Sequence, residues 1–414
     1  MGSLEIRQSP GNESRFFYGY FVVGASLIII SAMWAVYYAF GVFLKPVLNE
    51  FGWTRTMTSG AFSLSSIING LLAIVMGGLT DKFGPRIVLT LCGLLLGLGL
   101  LLMSKISAVW HLYLFYGILV GAGMGGSFIP LLSTVARWFF MRRGMMTGIV
   151  AAGTGIGALL GPPVAIRLIS VYGWRVSFAI LGIIVFSIIV LSAQLVKRDP
   201  TQVGQVAYGA SQVEQRRLDL YADGFSLGEA VYTSQFWVFF ATGFCYGFCL
   251  FTIMVHIVAH AIELGISAIC AANLLAMIGG LGILGKVVSG RAGDIIGSRQ
   301  TLMLGFVLMS IALIWLVPAE TAWILFSIAG IFGFGYGGCA VSHSPIIGDL
   351  FGLKSHGLIF GVFDLSVMGG GAIGPLLTGY LFDVTNSYKM AFLLCAVISF
   401  IGIVLTSFLK FKKS

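Results

Sequence analysis

Residues 77–86 read GGLTDKFGPR, and residues 290–299 read GRAGDIIGSR. Four positions match in register: Gly77 with Gly290, Asp81 with Asp294, Gly84 with Gly297, and Arg86 with Arg299. A second match, between Gly161-Pro162 and Gly374-Pro375, repeats at the same offset. Because several independent matches share one offset, the sequence predicts a chain built from two halves of similar structure.

The composition of the chain indicates a membrane protein. Of its 414 residues, 58% are hydrophobic and only 9% are charged, which excludes an ordinary soluble domain. A membrane-spanning helix needs about 20 mostly apolar residues. Runs of this kind cover 17–45, 55–79, 87–104, 109–136, 145–166, 174–196, 236–260, 268–292, 300–317, 321–348, 356–381 and 388–409. We therefore predict an all-α membrane protein with twelve transmembrane helices in two six-helix, pseudo-symmetric halves.

The long polar stretch at 197–235 divides the chain. We expect an N-terminal six-helix half at 1–196, a cytoplasmic linker at 197–235 and a C-terminal six-helix half at 236–414. With both termini on the cytoplasmic side, most of the 24 Lys and Arg residues fall on that side as well. The positive-inside rule therefore predicts that both termini are cytoplasmic. The net charge of +9 is thus a signal of topology, and we expect no nucleic-acid partner.

Two charges interrupt apolar runs. Lys286 lies in AANLLAMIGGLGILGKVVSGRAGD, and Asp364 lies in GLIFGVFDLSVMGGGAIGPLL. A charge at membrane depth costs about 2.5–3.5 kcal/mol on insertion scales, so it usually has a partner or a function. Each residue is eight positions from the expected cytoplasmic end of its helix, which is about 12 Å. The two side chains could form a structural ion pair, or Lys286 could anchor a substrate beside a titratable Asp364.

The motifs resemble those of one transporter superfamily. Residues 77–86 fit the signature loop of the major facilitator superfamily, and RWFFMRRGMMTGIVAAGTGIG (137–157) resembles a signature of the monocarboxylate transporters. VHIVAHAIELGIS (255–267) is similar to a segment of the oxalate–formate antiporters. The resemblance implies the major facilitator fold. It also implies conformational roles for the motif residues Gly77, Asp81, Gly84, Arg86, Arg142, Arg143, Asp294 and Arg299.

The chain departs from these families at three positions that bear on function. Lys286 replaces an arginine of the family pattern, and Gly282 replaces the acidic residue that often precedes that arginine by four positions. Asp364 lies where the oxalate branch has a second cation. Because Asp364 stands in place of that cation, a dianion is the less favoured substrate. Lysine still offers a positive anchor, but as a point charge without the planar fork with which arginine grips a carboxylate.

The resemblance implies a secondary active transporter of a small monocarboxylate such as lactate, pyruvate or acetate. It would work by proton symport or anion exchange. We expect Asp364 to carry the proton. The residues that we expect to contact the substrate are Lys286, Tyr336, Tyr37, Tyr38, Tyr116, His256 and His260. Packing within the bundle is the alternative role for the tyrosines. His343 and Trp34 are weaker candidates.

Three other functions stay open at this point. They are export of a hydrophobic or cationic compound anchored by Asp364, exchange of an oxalate-like dicarboxylate, and nutrient sensing without transport. No enzyme is expected, since the sequence shows no nucleophile–base pair, metal-ligand set or nucleotide-binding motif. We expect no cofactor. We also expect a monomer in the plasma (cytoplasmic, or bacterial inner) membrane. Its partners would be the lipid bilayer, a small carboxylate and, in the case of symport, a proton.

Overall fold

The structure is a computed structural model that describes residues 17–139, 142–209, 224–352 and 355–410. The side chains of Asp81, Arg143 and Asp294 lie outside this description. Within the described ranges the fold is helical, and helices satisfy their own backbone hydrogen bonds, as a bilayer requires.

The first helix set comprises five helices. Their bounds are α1 Gly19–Phe51, α2 Arg55–Phe83, α3 Pro85–Met103, α4 Val109–Trp138 and α5 Arg143–Ala193. A π-helical stretch at Tyr113–Val120 lies inside α4, and residues 125–128 interrupt the helix before it resumes at Ile129. The 51 residues of α5 are too many for one crossing, and Gly173 divides them, because its φ of 75° leaves the helical region. Thus α5 supplies two arms, which correspond to the predicted fifth and sixth spans.

The second helix set follows a short helix, α6 Leu227–Val231. Its members are α7 Ser234–Glu263, α8 Ala268–Ile296, α9 Ser298–Leu316, α10 Ala322–Phe351, α11 His356–Thr385 and α12 Lys389–Ser407. In the described part of the chain, eleven helices are long and apolar enough to cross a membrane. Counting both arms of α5 gives twelve crossings, which confirms the predicted fold class.

The chain alternates between two faces of the bundle. We call the face where α1 begins and α12 ends the linker face, because the segment that joins the two helix sets lies there, and the other the opposite face. The helix sets touch along three seams: α1 with α7, α2 with α11, and α5 with α8. Within the second set, α8 also packs on α10, and α11 packs on α7.

The two matching loops have matching structures. Helices α2 and α3 are separated at Gly84 (φ 83°), and α8 and α9 at Gly297 (φ 94°). Arg86 donates a hydrogen bond to the carbonyl of Gln194 (2.8 Å), and Arg299 donates one to the carbonyl of Ser407 (2.5 Å). Each arginine therefore ties its loop to the last helix end of its own set, at positions that share the offset of the sequence repeat.

Other motif residues have simpler roles. Gly77 faces Ile129 of α4, and a Cβ at Gly77 would lie only 2.9 Å from the Ile129 side chain. Arg142 is exposed and precedes α5 with a positive φ of 62°. The side chains of Asp81, Arg143 and Asp294 lie outside the described residues, so their predicted roles stay predictions.

Gly337 tests the packing of α8 against α10. A Cβ at Gly337 would lie 2.4 Å from the Gly282 carbonyl oxygen and 3.0 Å from the backbone nitrogen of Lys286, so Gly337→Ala should separate the helices. We expect a fall of several degrees in the Tm of purified protein, measured by a fluorescence melt. Gly78→Ala is the matched control, since nothing lies within 4 Å of its Cβ and alanine favours helix. Equal Tm values for the two variants would contradict this packing.

Candidate functional site

Glycines bring α8 and α10 into backbone contact around Lys286. A Cβ at Gly285 would lie 2.3 Å from the Phe334 carbonyl oxygen. A Cβ at Gly333 would lie 2.6 Å from the Ile278 carbonyl oxygen, and Gly337 makes the third close contact. Because small residues allow helix backbones to approach closely in a membrane, this seam fixes the position from which the Lys286 side chain leaves α8.

Tyr336 explains the glycine at position 282. Its ring lies directly over Gly282, where an added Cβ would be 2.5 Å from a ring carbon and 2.6 Å from the hydroxyl oxygen. An acidic side chain at 282, which the family resemblance led us to look for, would occupy the volume of this ring. In this chain the neutral ring of Tyr336 therefore lies near Lys286, where the family pattern often has a carboxylate.

Lys286 reaches across the seam between the two helix sets. Its Nζ donates to the Thr154 hydroxyl (2.5 Å) and the Ala151 carbonyl (3.4 Å), both on α5. The Nζ also lies 5.7 Å from the centroid of the Tyr336 ring, within the range of a cation–π interaction. All three partners are neutral, so hydrogen bonds and a ring solvate the charge of Lys286, and none of the described side chains places an anion at contact distance.

The ion pair between Lys286 and Asp364 that we expected is absent in this conformation. The described side chains of these two residues do not approach within 4 Å. The reason lies in the helix packing: α8 faces α5 and α10, whereas α11 faces α2 and α7. Asp364 is half-buried, and it lies within electrostatic range of Tyr246 on α7. Similar depth along two helices did not bring the charges onto the same side of the bundle.

Several buried polar atoms near the centre of the bundle have no hydrogen-bond partner in the described structure. They include the Tyr336 hydroxyl, the Trp34 indole nitrogen and His343 Nε2. Buried polar groups are normally paired, so unpaired ones mark places where a ligand or water can bind. Tyr38 packs on Trp34 with ring centroids 5.0 Å apart and lies within electrostatic range of Tyr336. The polar groups of α1 and α10 thus meet beside Lys286.

Tyr246 continues this polar region towards Asp364. Its ring meets the His343 ring edge-on at 5.0 Å, and it is within electrostatic range of both Tyr336 and Asp364. Sequence reasoning did not single out Tyr246 or Thr154. Each is one polar residue in an apolar or glycine-rich run, and its contacts are with helices distant in sequence.

Two of the predicted substrate-contacting tyrosines are used inside the first helix set. The Tyr37 hydroxyl is bonded to Ser65 (3.2 Å) and Ser66 (2.9 Å) on α2. The Tyr116 hydroxyl donates to the Tyr37 carbonyl (3.4 Å), and the two rings stack with centroids 6.5 Å apart. These contacts favour the packing role that we considered for tyrosines, since each hydroxyl already has a hydrogen-bond partner within the first helix set.

His256 and His260 lie in a different cluster, near the opposite face. His256 Nε2 is 3.0 Å from the Pro375 carbonyl and 3.3 Å from the Ser59 hydroxyl, and Nδ1 is 3.4 Å from the Tyr388 hydroxyl. His260 packs against the rings of Tyr388 and Phe392. Both histidines therefore pack among residues near the opposite face and not in the region around Lys286.

Arg55 is the centre of this closure. Its guanidinium, in a side chain that is only 9% exposed, donates to Glu263 at 2.7 Å and to the Tyr388 hydroxyl. Glu263 also pairs with Lys45 at 3.3 Å. The guanidinium carbon lies 3.8 Å above the Phe382 ring centroid. Each of these contacts joins the first helix set to the second. We call this group, with Asp383, the opposite-face closure.

Asp383 of α11 caps the start of α2 from the other helix set. Its two carboxylate oxygens accept from the backbone nitrogens of Arg55 (3.0 Å) and Thr56 (2.8 Å) and from the Thr56 hydroxyl (2.5 Å). A helix N-terminus has unsatisfied N–H groups and a partial positive charge, so a carboxylate stabilises it. Separating the helix sets at this face would remove the cap and the Arg55 pair together.

The Major Facilitator Superfamily model matches residues 25–291 and 261–414, and the chain belongs to this family. It is a multi-pass membrane transporter and not an enzyme. Monocarboxylate transporter 13 of Rattus norvegicus is 27% identical over 387 residues, covering 93% of this chain and 87% of that protein. The Oxalate:formate antiporter of Oxalobacter formigenes is 27% identical over 423 residues, covering 99% and 94%.

A solved structure shares the fold. It is that of a bacterial homolog to the human lysosomal transporter Spinster, with a TM-score of 0.74 and 14% identity. The match covers 96% of this chain and 97% of that chain.

The opposite-face closure predicts a shift in conformation when Arg55 is changed. Arg55→Gln removes the guanidinium that joins Glu263 and Tyr388 to α2 and leaves Glu263 only its pair with Lys45, a loss on the order of 1–3 kcal/mol. Spin labels at Arg167→Cys, an exposed position of α5 near the opposite face, and Thr321→Cys, in the loop before α10, should move apart in a pulsed electron paramagnetic resonance measurement. The background would be a cysteine-free chain.

Arg175→Gln is the control for this measurement. Arg175 pairs with Glu50 at 2.6 Å on the same face, but both residues belong to the first helix set. Its loss should leave the label distance unchanged. An unchanged distance in Arg55→Gln as well would mean that Arg55 does not hold this face closed.

Proposed function

We propose that the protein is a secondary active transporter of a small monocarboxylate, and that Lys286 is the anchor for the carboxylate. One observation carries the proposal: Lys286 lies at membrane depth with only neutral partners at contact distance. A buried charge without a counter-ion is costly, so this position favours an anionic ligand. The names of the relatives, which include monocarboxylate transporters, support the same substrate class.

The charges around Lys286 favour a monoanion. Asp364 contributes a negative charge to the second helix set, where a second cation would favour an oxalate-like dianion. Lysine also binds a carboxylate as a point charge and not in the bidentate manner of arginine. The Tyr336 hydroxyl, which is buried without a partner beside Gly282, is available to a second polar group of the substrate.

The transport cycle that we infer is a rocking of 1–196 against 236–414 around Lys286, with 197–235 as the linker between them. The linker face would be cytoplasmic, in a plasma membrane, by the positive-inside rule. In the described conformation the closure centred on Arg55 joins the helix sets at the opposite face. Proton symport and anion exchange both fit this cycle, and Asp364 is the group that we propose to carry a proton.

Lys286→Gln should abolish uptake of labelled lactate or pyruvate into proteoliposomes, because it removes the proposed anchor. Lys286→Arg should retain part of the uptake, since it keeps the charge. Lys389→Gln is the control. This lysine is 62% exposed and its Nζ lies 3.9 Å from Glu320, and because an exposed ion pair contributes little, its loss should leave uptake unchanged. Unchanged lactate and pyruvate uptake in Lys286→Gln, or strong oxalate exchange with no lactate signal, would contradict a monocarboxylate anchored at Lys286.

Asp364→Asn separates proton coupling from substrate binding. If Asp364 carries the proton, accumulation driven by a proton gradient should be lost, while exchange of labelled for unlabelled substrate continues. Both activities are measured in the same proteoliposomes at equal protein density. Full proton-driven accumulation by the variant would exclude this role for Asp364. Transport of an organic cation that depends on Asp364 would instead favour the exporter alternative.

A further inference from the structure

Lys286 is bonded to the opposite helix set. It belongs to α8, and both of its hydrogen-bond acceptors, the Thr154 hydroxyl and the Ala151 carbonyl, belong to α5. Among the described residues, the other polar contacts between the two helix sets involve residues such as Arg55, Thr56, Lys45, Ser59 and Asn69. The proposed substrate anchor is therefore itself one of the ties across the α5–α8 seam.

Thr154 is oriented to accept from Lys286. Its hydroxyl donates its own hydrogen to the Ala151 carbonyl at 3.0 Å, one turn back on α5. The oxygen lone pairs then face the ammonium group. An ammonium has three donors, and two of them are directed at α5. A carboxylate that approaches Lys286 finds one remaining donor, unless the lysine leaves Thr154.

The seam fixes how close Thr154 comes to Lys286. A Cβ at Gly279 would lie 2.6 Å from the Ala158 Cβ and from the Leu159 nitrogen. A Cβ at Gly155 would lie 2.4 Å from the Ile283 side chain. These contacts, adjacent to Thr154 and Lys286, hold the helix backbones together. Relative movement of α5 and α8 would change the distance between the hydroxyl and the ammonium group.

We propose that Thr154 is a positioning residue that competes with the substrate carboxylate for Lys286, and so lowers substrate affinity in the conformation where it is bonded to Lys286. The inference rests on the proposed function. Its consequence is that substrate binding and the tie across the seam oppose each other. A substrate that draws Lys286 away loosens α5 from α8, and a restored tie favours release.

Thr154→Val tests this competition, because valine keeps the shape and removes the hydroxyl. Equilibrium binding of labelled lactate and pyruvate to purified full-length protein should tighten, with Kd falling on the order of threefold to tenfold, the range expected for one lost competing hydrogen bond. Thr154→Ser keeps the acceptor and should bind like the unmodified chain. KM should fall in Thr154→Val, while the maximal rate falls because release is slower.

Thr134→Val is the matched control. Thr134 is a buried threonine of α4 whose hydroxyl donates to the Pro130 carbonyl of its own helix (2.7 Å), so its change should leave Kd unaltered. Thr154→Ala makes the same test if Thr154→Val folds poorly, as judged by Tm and monodispersity.

The outcomes distinguish the two proposals. Weaker binding in Thr154→Val would show that Thr154 contacts the substrate directly, and unchanged binding would show a structural role; either result overturns the inference while the proposed function stands. If the unmodified chain binds neither lactate nor pyruvate, the proposed function fails and the inference fails with it.

Discussion

The burial of one ammonium group between two helix sets is the constraint on which the rest of this structure depends. A lysine at membrane depth must be solvated by the protein, and here the solvation comes from a hydroxyl, a carbonyl and an aromatic ring. Because none of these carries a negative charge, Lys286 keeps its attraction for an anion. A carboxylate at contact distance would have balanced the charge of Lys286 and weakened that attraction.

Glycines make this arrangement possible. Gly282 leaves room for the Tyr336 ring, and Gly337 and Gly285 let α8 and α10 touch along their backbones. On the other side of α8, Gly279 packs against α5 and brings Thr154 within reach of Lys286. The position of the ammonium group is thus set by backbone contacts on two sides, whereas the closure around Arg55 joins the helix sets at the opposite face.

The fold could be predicted from the sequence because its determinants are local or repeated. Apolar runs define the helices, and the repeated loop appears in the structure as matching ties from Arg86 and Arg299. The site was only partly predictable. Lys286 stood out as a charge in an apolar run, but depth along a helix does not specify which neighbour it faces, so the pairing with Asp364 was wrong for this conformation. Thr154 has no pattern of its own, and only the tertiary structure shows its contact with Lys286.

The central claim is that Lys286 binds the substrate carboxylate and gives up its bond to Thr154 in doing so. A cryo-electron microscopy structure of the protein with a bound lactate or pyruvate tests this most directly. The account predicts a carboxylate oxygen at hydrogen-bond distance from Lys286 Nζ, with the Lys286–Thr154 distance increased beyond the 2.5 Å seen here. A substrate bound elsewhere, or bound with the Lys286–Thr154 bond intact, would contradict it.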